Sequence, residues 1–306
     1  MDERFFALLL VAAVAVSAPL LFAALGELIS ETAGVINIEL EAMMLCGAFG
    51  AIVGAATLGN AAIGFVAAGF SGVLVAMVHG AACFMFRANQ VVSGVVLNIL
   101  ALGLTTFGVS VVSATGASQQ VAAPERIPIP GLSGLPFIGQ AFFAQSVMVY
   151  VAYVLVPVVW WLLNRTTVGL ALKATGERPS AADSLGLGVQ RIRWLALIAC
   201  GALAGVGGGL LTLGGLGFFT ENVTAGRGFI ALAAVIFGQW QPFGTAAAVL
   251  LFSITDAFQV RAQVLGLHVP YQVLVMLPYL VTVLALAGAV RRTRAPSALG
   301  ANYERE

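Results

Sequence analysis

Charge is what this chain has least of: 9% of its 306 residues are Asp, Glu, Lys or Arg, against 60% hydrophobic residues. A soluble domain carries about 25% charged residues, so an aqueous globule is excluded and a polytopic membrane protein is implied. The mean hydropathy of +1.01 agrees. A formal net charge of +1 offers nucleic acid no basic face. Lysine occurs once, at Lys173, outside any Gly-x-x-x-x-Gly-Lys-Ser/Thr run, so ATP cannot be cradled here in the P-loop manner. Cys46, Cys83 and Cys200 are the three cysteines, all in apolar surroundings without metal-like spacing. They read as small core residues, not as a disulfide framework. The two histidines, His79 and His268, are far apart and lack partners at ligand spacing. No catalytic residues and no metal site are assigned: neither a nucleophile triad nor a paired acid and base is visible.

What is there is a series of apolar runs, each to be compared with the ~20 residues needed to cross ~30 Å of hydrocarbon. The first span is Phe5 to Ala24, with Pro19 able to kink it. Asp2-Glu3-Arg4 is not the basic leader of a signal peptide and the run is too long for one, so it is kept as part of the mature chain. Ala42 to Thr57 is a short second span, Ala61 to Phe86 a third and Val91 to Val112 a fourth. Residues 113–141, with Pro124, Pro128, Pro130 and Pro136, cannot continue a helix and form the longest exposed loop. Phe142 to Leu163 is span five and Trp194 to Leu213 span six, separated by the charged segment 164–193. Gly228 to Phe237 is too short to cross unaided, and Phe243 to Phe258 and Tyr271 to Val290 complete the series. The expected fold is an all-α integral membrane bundle of about nine segments, forming one transmembrane domain over 1–306.

Basic residues mark cytoplasmic loops. Placing 164–193 inside also puts Arg87 and the Arg291-Arg292-Thr293-Arg294 cluster inside and leaves Arg126 in an external 113–141 loop. The N-terminus is then external and the C-terminus cytoplasmic.

Two polar, glycine-punctuated stretches interrupt the apolar runs: Glu31-Thr32-Ala33-Gly34 continuing to Glu41, and Glu221-Asn222-Val223-Thr224-Ala225-Gly226-Arg227-Gly228. Irregular backbone and charge at membrane depth are tolerated where they line a cavity or a protein interior. The stretches lie toward opposite sides of the membrane and share Thr-Ala-Gly, so they are candidate inverted repeats with broken helices around a transport path. Asn37, Glu41, Asn98, Asn222 and Thr224 are the candidate substrate-pathway residues, with amides, a hydroxyl and a carboxylate to offer a solute as donors and acceptors. Each also has a purely structural reading: Asn98 as a bond between helices, Thr224 as a cap. Glu31, Glu39, Glu41, Glu221 and Arg227 could relay ions, with structural pairing the favoured reading. Asp256 and Arg261 read as a helix-end pair or a contact for an external protein.

Within 164–193, Pro179 suits a first helical position and Gly186 the residue after a helix, which predicts a short helix from Pro179 to Leu185. Its small face, Ser180, Ala181 and Ala182, admits another protein closely, and Glu177, Arg178 and Asp183 could set the register.

These residues resemble the coupling segment of permease subunits of ATP-binding-cassette (ABC) importers for simple sugars, nucleosides and branched-chain amino acids. Gly34-Val35-Ile36-Asn37-Ile38-Glu39-Leu40-Glu41-Ala42-Met43-Met44 is similar to the nucleoside branch of that family, departing from its pattern at Glu39 and Ala42, where the pattern has glycine. Arg87 to Gly94 and Phe219 to Leu232 resemble the same branch, and the similarity runs from about Leu25 to Val290. The resemblance implies an inner-membrane permease subunit in a bacterium, importing nucleosides or related solutes by alternating access. A simple-sugar or branched-chain amino-acid permease is the alternative within the family, and an ion-coupled secondary transporter the alternative outside it. Implied partners are a second permease subunit, expected to be a paralogue, an ABC ATPase holding the ATP and magnesium that this chain does not, and an extracytoplasmic substrate-binding protein. Gly176, Glu177, Arg178, Pro179, Ala181, Ala182, Asp183 and Gly186 are the implied ATPase-coupling residues.

Overall fold

The computed structural model describes residues 3–114, 125–135 and 138–264, isolated positions between 272 and 283, and 295–303. Helix α1 (Glu3–Thr32) is followed by α2 (Leu40–Leu58), α3 (Ala61–Gly80, continued by a π-helical stretch Ala81–Met85) and α4 (Gln90–Ala114). Strand β1 (Arg126–Pro128), the short α5 (Ile138–Phe143) and strand β2 (Ala144–Ser146) lead into α6 (Val147–Arg165). Then come α7 (Thr167–Glu177), α8 (Pro179–Ser184), α9 (Val189–Leu211, with a π-helical stretch Thr212–Leu216), α10 (Arg227–Phe237) and α11 (Pro242–Val264).

Seven helices among the described residues are long and apolar enough to cross a membrane, and α10 is a shorter apolar helix. The expected count of nine therefore stands at seven spans and one short helix, because Tyr271 to Val290 lies largely outside the described residues. Three expectations need correction. The second span is not short: with the Asn98 amide oxygen meeting the Ala42 N–H in its first turn and a left-handed Gly59 (φ 65°) at its end, it runs 19 residues. The first does not stop at Ala24 but runs 30 residues, ~45 Å, since Glu27 and Glu31 find partners inside the bundle and need not end it. Segment 113–141 is not wholly irregular, for β1 pairs antiparallel with β2, Arg126 opposite Ser146. Tyr150 pins that ribbon, its hydroxyl donating to the Ile127 carbonyl (2.9 Å) and accepting from the Gln145 N–H (3.1 Å).

The centre of the bundle is α9, which packs on α1, α2 and α3. Lipid offers no hydrophobic force to bring helices together, so close backbone packing must do it, and small residues permit it. A Cβ on Gly205 would collide with the Ala68 carbonyl of α3, and one on Gly208 with the Met44 carbonyl of α2. Around this seam lies the main core, including Leu25, Leu28, Met43, Met44, Leu197 and Leu213.

Candidate functional site

The first break, residues 33–39, leaves α1 through Gly34 at φ 87°, a left-handed conformation that favours glycine. The chain then folds back along the helix it has left. Asn37 donates from its backbone N–H (3.1 Å) and its amide (2.7 Å) to the Glu27 carboxylate, five residues before the helix end, and Cys200 of α9 closes the group (Sγ to Glu27 Oε2, 3.5 Å). Asn37 and Glu27 are fully buried. Asn98 of α4 spans the exit of the break: its amide donates to the Ile38 carbonyl and its oxygen accepts from the Ala42 N–H, both at 2.9 Å. Gln90 accepts from the Ile36 N–H (3.0 Å). Each bond satisfies a backbone group that the missing helical turn leaves orphaned.

Glu39 and Ala42 do not need the glycines of the resembled pattern. Glu39 lies at φ −77°, and its fully buried carboxylate is 3.1 Å from Nδ1 of His79 on α3, which is 3.2 Å from the Ser93 hydroxyl on α4. His79, expected to lack metal-ligand partners, has Glu39, Ser93 and the Cys83 thiol around it. Nothing in the spacing of residues 39, 79 and 93 signals this contact between three elements. Gly94 makes room for it, since a Cβ there would lie 2.7 Å from Ile38 Cβ and 3.1 Å from Glu39 Oε2.

The second break runs from Gly217 to Gly226 and folds back onto α2. Phe219 meets Phe49 edge-on (5.6 Å), and five residues later Thr224 reaches Glu41, two turns nearer the start of α2. The Glu41 carboxylate accepts from the Thr224 hydroxyl (2.5 Å), the Gly226 N–H (2.8 Å) and the Gly228 N–H (2.7 Å). It therefore caps α10, where free N–H groups and the helix dipole favour an anion. Glu41 thus ties the second break to the helix after the first. Asn222, at φ 53°, is exposed on the flank of this turn. Glu31 accepts from the Trp240 indole N–H (2.5 Å), tying the end of α1 to the residues after α10. Asp256 pairs with Arg227 (3.4 Å) rather than with Arg261, because α11 brings it beside the first turn of α10.

The Thr-Ala-Gly match holds in one respect: Gly34 and Gly226 are both left-handed (φ 87° and 83°). In position they differ, the first ending α1 and the second preceding α10.

The segment after α6 contains more helix than its sequence suggests. Thr166 accepts from the Gly169 N–H and starts α7, and Pro179 starts α8. Left-handed Gly186 ends α8, with the Leu187 N–H bonded to the Ala182 carbonyl. Gly176 is buried directly against the first break, its Cα 3.3 Å from where a Cβ on Gly34 would sit, and its own added Cβ would strike the Thr32 carbonyl. Glu177, Arg178 and Ala181 are exposed, Pro179 and Asp183 half-buried and Ala182 buried. Leu185, absent from the expected contact set, is 83% exposed at the end of α8.

Among the described residues no group of His, Cys, Asp and Glu could hold a metal ion. No solved structure matches the chain. The permease component of the branched-chain amino acid transport system matches as a family over residues 9–286. A putative glucose ABC transporter permease of Haloferax volcanii, TsgC13, is 41% identical over 99% of both chains. The guanosine ABC transporter permease NupQ of Bacillus subtilis is 37% identical over 94% of this chain and 93% of its own length. The nucleoside ABC transporter permease NupC of Lactococcus lactis is also 37% identical, with the same coverage. The chain therefore belongs to this family and is a multi-pass permease subunit of an ABC transporter, not an enzyme.

Proposed function

We propose that the chain forms one half of an import pathway for nucleosides in the inner membrane, working with a second permease subunit, an extracytoplasmic binding protein and an ATPase that docks on α8. The observation that carries the reading is the contact of Gly176 with Thr32 and Gly34: the helix pair that bears the coupling residues abuts the first break, and Glu41 links that break to the second. A push on α8 then has a packed route to both irregular segments. Exposed Leu185 beside Ala181 gives α8 an apolar contact for the ATPase. The 164–193 side is cytoplasmic in this reading, the external N-terminus being at the other end of α1.

A neutral solute suits the chemistry around the breaks. Glu27, Glu31 and Glu41 are each hydrogen-bonded to protein partners and Glu39 is enclosed beside His79, so these carboxylates are not standing countercharges for a zwitterion such as leucine. In this reading exposed Asn222 is the residue assigned to solute contact, while Asn37, Asn98, Glu41 and Thr224 hold the irregular segments through protein hydrogen bonds. Similarity to NupQ and NupC supports nucleosides; TsgC13 favours a sugar as the second reading. Uptake of guanosine, adenosine, ribose, glucose and leucine into proteoliposomes holding the whole transporter tests both. Guanosine or adenosine uptake that needs ATP is expected. Uptake of glucose or leucine alone would overturn the nucleoside reading, and ion-driven uptake without the ATPase would overturn the coupling.

A further inference from the structure

The coupling segment does not meet the first break alone: residues 295–303 are bound across both. The Ala298 N–H donates to the Gly176 carbonyl (2.8 Å), the Ser297 hydroxyl to the Glu177 carboxylate (2.7 Å) and the Gly300 N–H to the Gly34 carbonyl (3.1 Å). Beyond these, Asn302 donates to the Arg87 carbonyl (3.2 Å) in the turn between α3 and α4, and the Tyr303 carbonyl accepts from Gln190 of α9 (3.1 Å). Within nine residues this irregular segment, with a turn over 297–300, touches the end of α7, the break, the α3–α4 turn and the start of α9.

At its centre is Arg193, which is fully buried in the first turns of α9. Its Nη1 donates to the Ala301 carbonyl (2.7 Å), while Nη2 faces Gly34, 3.0 Å from where a Cβ would stand. Nε and Nη2 have no hydrogen-bond partner among the described residues. A buried guanidinium is costly to desolvate unless acceptors meet it, and here the acceptor comes from the C-terminal segment. The cost of burying the charge thus holds the segment against Gly34 and Gly176, since releasing it strips Arg193 of its carbonyl.

We propose that residues 295–303, locked by Arg193, are a positioning strap that makes the coupling segment and the first break move as one body. The proposal rests on the reading of α8 as the ATPase contact. Without the strap, α7 and α8 can shift on ATP binding while the break stays behind, so hydrolysis continues and transport falls.

The test uses the complete transporter in proteoliposomes, with whichever of guanosine, adenosine, ribose or glucose the unaltered complex takes up as the probe. Truncation after Arg294 and Arg193→Ala are each expected to leave ATP hydrolysis within about twofold and to lower solute moved per ATP at least tenfold. Arg193→Lys, which keeps a charged donor for Ala301, is expected to recover much of the ratio. Unchanged solute per ATP in the truncated complex overturns the strap. A second measurement keeps the full chain: forming a disulfide between S297C and E177C, in place of a hydrogen-bonded pair, is expected to leave uptake at the level of the same double variant in its reduced form. If the cross-link stops uptake and reduction restores it, the strap must release during transport and the proposal fails. Failure of the α8 reading is distinguishable, because ATPase binding would then survive α8 substitutions in the otherwise unaltered complex.

Discussion

In the first break, Glu27 of α1, His79 of α3 and Gln90 and Asn98 of α4 hold seven residues of irregular chain, and nearly every anchor is buried. In the second, one carboxylate from α2 takes three of the bonds, while Glu221, Asn222 and Ala225 are exposed on its flank. The first is also the break that Gly176 and the C-terminal segment touch. The contrast separates two tasks. A segment that receives force must be stiff, which a dense set of buried bonds provides, whereas a segment hung on a single joint can change shape when that joint moves. Glu41 joins the two, as the second residue of α2 directly after the first break and as the cap of the helix after the second.

The largest effect is expected where the first break keeps a buried acid. His79→Ala removes the group that faces Glu39 and should cost about 3 kcal/mol, as for a buried polar group left without its partner. Adding Glu39→Gly should recover a good part of that, measured as a coupling energy in a double-mutant cycle of denaturation midpoints. Strict additivity would mean that the pair does not hold the break. Next, Glu41→Ala leaves the Thr224, Gly226 and Gly228 donors unmet and should cost about 3 kcal/mol. Protease cleavage should then appear in 217–226 and not in 33–39; cleavage in both would erase the distinction between the two breaks. Gly176→Val, whose side chain would displace the Thr32 carbonyl, should cost about 2 kcal/mol as overpacking. Its larger effect should be on solute moved per ATP. The smallest contrast uses the shared tripeptide: Ala225 carries φ 45°, so Ala225→Gly should stabilise by about 1 kcal/mol, while Gly34→Ala should destabilise, as read from thermal melting in detergent. Equal signs for the two changes would show that strain is not what differs between them.

Much of this was legible in the residues themselves. Apolar runs located the spans, and Pro179 with Gly186 located α8, because these signals are local and act through backbone geometry. The polar stretches marked the breaks for the same reason. The partners were not legible: Glu39 with His79, His79 with Ser93, Asp256 with Arg227, and Arg193 with Ala301 are contacts between residues 14 to 108 positions apart, with no shared period. The extent of α1 was missed because Glu27 and Glu31 look like interfacial charges until Asn37 and Trp240 are seen beside them.

Sequence alone determined that this is a membrane bundle with two interrupted regions and a short exposed helix between spans, since hydrophobic length and turn chemistry are properties of the chain one stretch at a time. Only the tertiary structure decided that Glu41 ties the second interruption to the helix after the first, that Gly176 lies against Gly34, and that segment 295–303 binds over both. Those depend on close helix packing along α9 and on which buried polar group reaches which acceptor. In an interior that supplies no water, each such group must find its partner inside the fold, and the fold is settled by where the partners stand.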